Sequence, residues 1–386
     1  MKMNKFLILA PIVSFIILFI FVCTQIPIVN QSAKNLPIAI VNEDIGVGEI
    51  NIGNNIIQQL TAQNPASEES MIAWKIVNLE EMQQGMDDQS YYGALVIPEN
   101  FSEHYTSLQT ATPLSPEINL YVNQGKNATV ATNVNQALNS IVNGINEKIS
   151  NELLATFQAQ NVSLSVDQAL LYTAPITSST TMLHPTGSTG NVPLSLFQPI
   201  WMGSLFGAMF LWFAMRNRTF NSKMEQLKAR LLQIGVSFII GIVAGFGLTW
   251  LATSILNYEF PSFTNTALFL SITCTSFLLL ILAVVTWIGM PGVPLFVLLL
   301  FFGLPLLQMT PEVMPVFYKD WVYPWLPMRY MIDGLRELLF YDGAVWNESA
   351  IVLSSITIVS AMIILAVIWK PRKEESLVEN SQVENG

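Results

Sequence analysis

The chain has 386 residues, of which 52% are hydrophobic and only 11% charged, and its mean hydropathy is +0.46. This composition excludes an ordinary soluble enzyme and describes an integral membrane protein with room for one water-exposed domain. Most of the net charge of -10 falls between Asn30 and Pro193, where Glu68, Glu69, Glu80, Glu81, Asp87 and Asp88 outnumber Lys34, Lys75, Lys126 and Lys148, so nucleic-acid binding is excluded there.

Lys2 and Lys5 precede an apolar run from Phe6 to about Val29, too long for a signal peptide and without a small-residue cleavage site, so it is predicted to stay as a first transmembrane helix. Residues 30 to 193 follow as a predicted extracytoplasmic α/β domain. Strand-like runs at Ile38 to Val41, Ile72 to Val77, Ala94 to Ile97 and Ile118 to Val122 alternate with helical patterns at Asn54 to Ala62, Leu79 to Gln89 and Glu99 to Leu108. A long helix, about Thr129 to Gln158, then carries Val130, Val134, Leu138, Ile141, Val142, Ile145, Ile149 and Leu153 at three- and four-residue spacing. That stripe fits packing on the domain's own sheet or a partner surface. From Ser163 to Pro193 the chain turns rich in Ser, Thr, Pro and Gly, which predicts a flexible tether. His104 and His184 lie far apart with no local partner pattern, so neither predicts a metal site or a catalytic dyad.

The membrane domain is predicted over residues 194 to 386. A hydrocarbon core about 30 Å thick takes roughly 20 helical residues to cross. Spans are predicted at Leu194 to Met215, Leu231 to Leu256, Ala267 to Ile288, Pro294 to Gln308 and Ala350 to Trp369, the fourth of these short and interrupted by Pro294, Gly303 and Pro305. The predicted fold is therefore an α-helical membrane protein with six transmembrane helices in a 1+5 arrangement and an α/β domain after the first. Lys2 and Lys5, the loop 216 to 230, and Lys370, Arg372 and Lys373 share one side, which the positive-inside rule makes cytoplasmic. Both termini then lie inside a bacterial plasma membrane and residues 30 to 193 outside. The 310 to 348 segment also falls outside. In it Met328, Ile332, Leu335 and Leu339 form an apolar stripe opposite Arg329, Asp333 and Arg336, while Trp321, Tyr323, Trp325 and Tyr330 suit the headgroup level, predicting an interfacial amphipathic helix. The tail from Lys370 is polar and predicted to be disordered.

The five spans beyond the tether contain no Asp, Glu, Lys, Arg or His, whereas ion-coupled pumps keep such groups in the bilayer. Energy for transport must then come from elsewhere. The chain has no GxxxxGK[ST], and Gly125-Lys126 lacks both the upstream glycine and the following hydroxyl residue. GxSxG, HExxH and CxxC are missing too, so neither an enzyme nor a resident cofactor or metal is predicted. The adjacent acidic pairs read as a solvated surface. Cys23 and Cys274 sit in apolar spans and fit small packed residues. Gly203, Gly207, Gly241, Gly245 and Gly247 permit close helix contact, within one subunit or across a dimer.

At LPIAIVNEDIGVG (Leu36 to Gly48), YYGALVIPENFSEHYTSL (Tyr91 to Leu108), FQPIWMGSLFGAMFLW (Phe197 to Trp212) and LPMRYMIDGLRELLFYDG (Leu326 to Gly343) the chain resembles type 2 ABC transporter permeases, within them the phage infection protein branch. Only Met1 to Lys5 precede the first span, where many such permeases carry an amphipathic cytoplasmic helix. The resemblance implies a permease homodimer among membrane lipids, served by a separate ABC ATPase subunit that holds the ATP, and exporting or moving a hydrophobic or amphipathic substrate. It further implies that Arg216, Arg218, Lys223, Lys228 and Arg230 form the ATPase-docking loop, although the positive-inside rule alone also explains them. Arg329, Asp333, Arg336 and Glu337 would belong to an outer gate helix. A second reading stays open: a membrane-anchored cell-surface receptor or secretion accessory protein, phage-adsorption-like, whose outer domain binds a partner.

Overall fold

The computed structural model describes residues 34–63, 70–110 and 112–369. The expected first helix with Cys23, the Glu68-Glu69 pair and the basic tail lie outside the described residues. Packing divides the described residues into two units, one of them Asn191–Gln308 with residues 320–369, the other residues 34–190 together with Met309–Lys319.

The second unit is α/β. Strands β1 (Leu36–Asn42), β2 (Ile72–Ile76), β3 (Gly93–Ile97), β4 (Glu117–Asn123) and β5 (Thr177–Leu183) form one sheet in the order β2-β1-β3-β4-β5. β1 runs parallel to β2, with Leu36 opposite Ile72, and to β3, with Ile38 opposite Gly93, while β3 and β4 are antiparallel. β1 and β3 are covered on both faces, which is why they read as nearly unbroken apolar runs. Helices α1 (Ile52–Gln63), α3 (Phe101–Ser107), α4 (Ala128–Ala159) and α5 (Val166–Thr173) share a core with Ile38, Ile40, Leu95, Ile97 and Leu120. Helix α2 (Leu79–Asp87) sets Met82 and Met86 against Ala39, Val41, Ala94 and Val96 on the other face.

Local chemistry fixes where these helices begin. Asn78 caps α2 in a reciprocal box, accepting from Glu81 N at 2.8 Å while Glu81 accepts from Asn78 N at 3.3 Å. Asn127 starts α4 by accepting from Thr129 N at 3.1 Å and Val130 N at 3.0 Å. The α4 stripe packs largely on the sheet: Val130, Val134, Leu138, Val142, Ile149 and Leu153 are buried, whereas Ile141 and Ile145 are only half-buried.

The expected tether is corrected by the structure. Its first part forms α5, capped by Ser165, and its second part forms β5, paired in parallel with β4 from Glu117–Thr177 to Asn123–Leu183. Asn146 of α4 holds the entry to β5 through two bonds with the Ile176 backbone, at 2.8 and 2.7 Å. Because β5 is an edge strand exposed on both faces, it needs no apolar alternation, and β-branched threonines suit it. His184, expected without a partner, sits in the left-handed region at φ 47 and places Nε2 3.1 Å from Asp87 Oδ1.

The other unit is helical: α6 (Val192–Arg216), α7 (Lys223–Ile255), α8 (Phe263–Ile288), α9 (Val293–Gln308), α10 (Pro327–Phe340) and α11 (Glu348–Ala366). Among the described residues five helices are long and apolar enough to cross a membrane, α9 together with the turn before it and α11 out to Trp369. The protein is thus a multi-pass membrane protein with a small α/β region. α8 is buried almost all round and packs on α6, α7 and α11. Within it the Ser271, Thr273 and Thr275 hydroxyls donate to carbonyls four residues back at 2.7, 2.9 and 2.8 Å. Gly241 and Gly245 of α7 lie so close to α8 that an added Cβ would strike the Ser271 and Ala267 carbonyl oxygens, at 2.9 and 2.5 Å. Trp201 of α6 anchors the core edge-on to Phe277, ring centroids 5.0 Å apart.

Candidate functional site

Helix α10 is the most strongly two-faced element of the helical unit. Its predicted stripe of Met328, Ile332, Leu335 and Leu339 is buried, joined by Met331 and Leu338. This face packs into the core of the helical unit. Gly334 permits the approach, since a Cβ there would overlap the Phe269 ring and meet Ser349 Cβ at 2.7 Å. Asn347 Nδ2, also buried, donates to Gly334 O at 3.2 Å.

The opposite side gathers the predicted charges. Asp333 lies between two arginines, with Oδ2 3.7 Å from Arg329 Nε and Oδ1 3.7 Å from Arg336 Nη1. At such distances both pairs are loose Coulombic contacts rather than bidentate bonds. The Arg329 guanidinium also faces the Tyr323 and Tyr330 rings, each centroid 4.9 Å away. Tyr323 is buried, whereas Trp321 and Trp325 are exposed. Glu337 forms no ion pair among the described residues and lies near Glu348; burial first, then that like charge, pushes its carboxyl above the ordinary range.

The predicted basic loop is shorter than its sequence span. α6 continues to Arg216 and α7 already starts at Lys223, because Ser222 caps it by accepting from Glu225 N at 3.1 Å while Glu225 accepts from Asn221 N at 2.9 Å. Only residues 217 to 222 connect the two helices. Arg216, Arg218, Lys223 and Lys228 are exposed. Arg230 differs: its Nη1 donates to Gln233 Oε1 at 2.6 Å, and buried Gln233 in turn donates to Leu211 O of α6 at 2.8 Å. Arg230 therefore braces the α6–α7 pair.

In the α/β unit the structure reveals two clusters with no local signal in the sequence. Asp44, just past β1, is buried and its carboxylate accepts from Ser102 N at 2.9 Å, Ser102 Oγ at 2.5 Å, Gly53 N at 3.0 Å and Gly46 N at 3.3 Å. Burial pushes this carboxyl upward, but the four hydrogen bonds outweigh it and leave it below the ordinary value. Asp44 thereby ties the chain after β1 to the start of α1 and to α3 after β3. The second cluster joins Glu312 to Tyr92, whose hydroxyl donates at 2.6 Å, and to Lys126 at 3.6 Å, with Lys126 lying 3.8 Å over the Tyr92 ring. Burial lowers the Lys126 ammonium, and Glu312 partly restores it. Val313 packs on the same core, so Met309–Lys319, expected within the membrane domain, counts with the α/β unit instead.

Among the described residues no three His, Cys, Asp or Glu side chains are grouped to hold a metal ion. Comparison with curated proteins finds no match. Among solved structures, the "Crystal structure of a domain of a putative ABC type-2 transporter from Thermotoga maritima MSB8" aligns over 38% of this chain and 86% of that one, with 18% identity and a TM-score of 0.24, too low for the likeness to bear on function. The family described as "Protein of unknown function (DUF3533)" matches residues 6–367, nearly the whole chain, and the protein belongs to that family.

Proposed function

We propose that this protein is the permease subunit of a type 2 ABC transporter, moving or exporting a hydrophobic or amphipathic substrate with energy from a separate ATPase subunit. The supporting observation is the interior of the helical unit, where the buried polar residues of α8 are Ser, Thr and Cys and the Ser271, Thr273 and Thr275 hydroxyls are tied to its own backbone. Among the described residues α8, the central helix of this unit, has no carboxylate or imidazole through which an ion gradient would drive transport. The sequence also carries no phosphate-binding loop, so ATP is assigned to the partner and the chain itself is not an enzyme. In this reading the protein lies in a bacterial plasma membrane as a homodimer, termini inside and the α/β unit outside, in the phage infection protein branch.

Two elements take roles in that reading. Arg216, Arg218, Lys223 and Lys228 are exposed around a short helix–helix connection and offer the ATPase an electropositive docking surface. Helix α10, with Arg329, Asp333 and Arg336 on loose contacts, serves as the outer gate, since weak pairs are easily exchanged when a helix shifts. Purification from its native membrane in mild detergent tests the proposal: recovery of a nucleotide-binding subunit supports it, and repeated recovery of none refutes it. The α/β unit has a complete core of its own, which keeps the surface-receptor reading in view. Full activity of that unit without the spans would favour the receptor.

A further inference from the structure

Helices α1 and α4 of the α/β unit leave between them a groove of about 370 Å³. This is within the range of small-molecule pockets. Ile52, Ile56 and Leu60 line one wall, Ile141 and Ile145 the other, with the Tyr105 ring beside them. These two isoleucines are the part of the α4 stripe that the sheet leaves only half-buried. Gly144 opens the space further, because a Cβ added there would meet nothing within 4 Å. The face of α4 toward the groove therefore changes along its length: Ile141, then Gly144 and Ile145, then Lys148 and Ile149, and finally Glu152. Two apolar turns are followed by two charges of opposite sign on either side of Ile149, about 6 Å apart along the axis.

Those charges do not neutralise one another. Lys148 Nζ donates to the neutral Gln59 Oε1 at 2.7 Å, and neither Lys148 nor Glu152 joins an ion pair among the described residues. Glu152 instead adds its field to that of burial in raising the Tyr105 phenol. A trough with apolar walls at Ile52, Ile56, Ile141 and Ile145, polar groups at Asn55 and Gln59, and a separated cation and carboxylate at one end is complementary to a molecule with one alkyl chain and a headgroup carrying both signs. An anionic amphiphile would satisfy Lys148 but meet Glu152 as a like charge.

We propose that this groove binds a zwitterionic single-chain amphiphile of the phosphoethanolamine type, its alkyl chain between α1 and α4, its phosphate at Lys148 and its ammonium at Glu152. The assignment rests on the permease reading for its cargo class, while the groove's binding is measured independently of transport. The test uses the purified full chain and a monoacyl phosphoethanolamine with a photoactivatable diazirine in the alkyl chain, followed by peptide mapping.

Label is expected on Ile52–Gln63 and on residues 141 to 152. Gly144→Trp, which fills the groove from a position with open space, should lower it roughly tenfold, the loss of about one buried apolar contact set. Charge reversal at exposed Lys148, K148E, should lower it roughly threefold, and the anionic monoacyl phosphoglycerol probe should label the parent protein less than the zwitterionic one. Equal labelling of the G144W and parent proteins, or label confined to the membrane helices, overturns the proposal. Should G144W lose the α/β fold, the K148E protein decides, and unchanged labelling there overturns the headgroup assignment. Labelling of the groove with no ATPase recovered would sink the permease reading alone; ATPase recovery without groove labelling would sink this inference alone.

Discussion

Replacing Asp44 with alanine removes one buried carboxylate that four donors share. Three of those donors are backbone amides, of Ser102, Gly53 and Gly46, and the fourth is the Ser102 hydroxyl. A buried donor left without its partner costs about 1 to 3 kcal/mol. The Gly46 contact at 3.3 Å is the longest of the four, and the freed Ser102 hydroxyl can still donate elsewhere by rotation. Two fully orphaned amides, with water reaching the vacated space in part, bring the expected loss to about 3 to 4 kcal/mol, a large share of a domain's total stability. Hydrogen exchange read by mass spectrometry on the solubilised full chain reports this locally. Opening of β1 and β3 should become roughly 100- to 1000-fold more frequent in D44A, while α8 peptides stay unchanged. The pH dependence has a definite sign. A carboxyl held below its ordinary value contributes stability that is present above the unfolded-state pKa and lost as pH falls through the lowered native one. Protection of β1, corrected for intrinsic exchange, should therefore decline in the parent protein only below the ordinary carboxylate range, and Asp44→Asn should remove that decline. Exchange in D44A within threefold of the parent would refute the view that this carboxylate holds the loops together.

Arg329→Ala should abolish or strongly reduce transport while leaving the helical unit folded, because it removes a cation from the Tyr323 and Tyr330 rings and from Asp333 without touching the buried face; unchanged transport would count against the gate. Reversing Arg218 and Lys228 to glutamate should weaken ATPase co-purification at low salt by roughly tenfold, with thermal stability within about 0.5 kcal/mol of the parent, as both side chains are exposed. Arg230→Ala should behave oppositely, losing about 1 to 2 kcal/mol of stability through the Gln233 bridge to Leu211 and leaving ATPase recovery nearly unaltered in the folded fraction. Gly245→Leu should force α7 from α8 and lower the thermal midpoint by an amount corresponding to about 2 to 4 kcal/mol; a midpoint equal to the parent's would show that the close approach at Ala267 is not obligatory.

Much of the architecture follows from local chemistry. Periodicity of two and of three to four residues located β1 to β4, the long α4 and four of the five membrane helices to within a few residues, whereas α7 starts at Lys223, eight residues before the predicted Leu231, because Ser222 caps it. The amphipathic pattern of α10 was equally legible, because Met328, Ile332, Leu335 and Leu339 recur on one side of any helix built from that segment. The site charges were visible as residues. Their roles were not, since Lys228 and Arg230 look alike until Gln233 turns one of them inward.

What the sequence by itself determined is the set of segments that must leave water and the period with which each must do so, because burial of apolar side chains depends on spacing along the chain. Only the tertiary structure decided which distant backbones and polar groups meet: β5 is made by pairing with β4, Asp44 by the approach of Ser102 and Gly53, and the allegiance of Met309–Lys319 by Glu312 reaching Tyr92 across 220 residues of sequence. Hydrogen bonds and ion pairs act over a few ångströms of space whatever the separation in sequence, so the groups they join carry no shared pattern from which the meeting might be read.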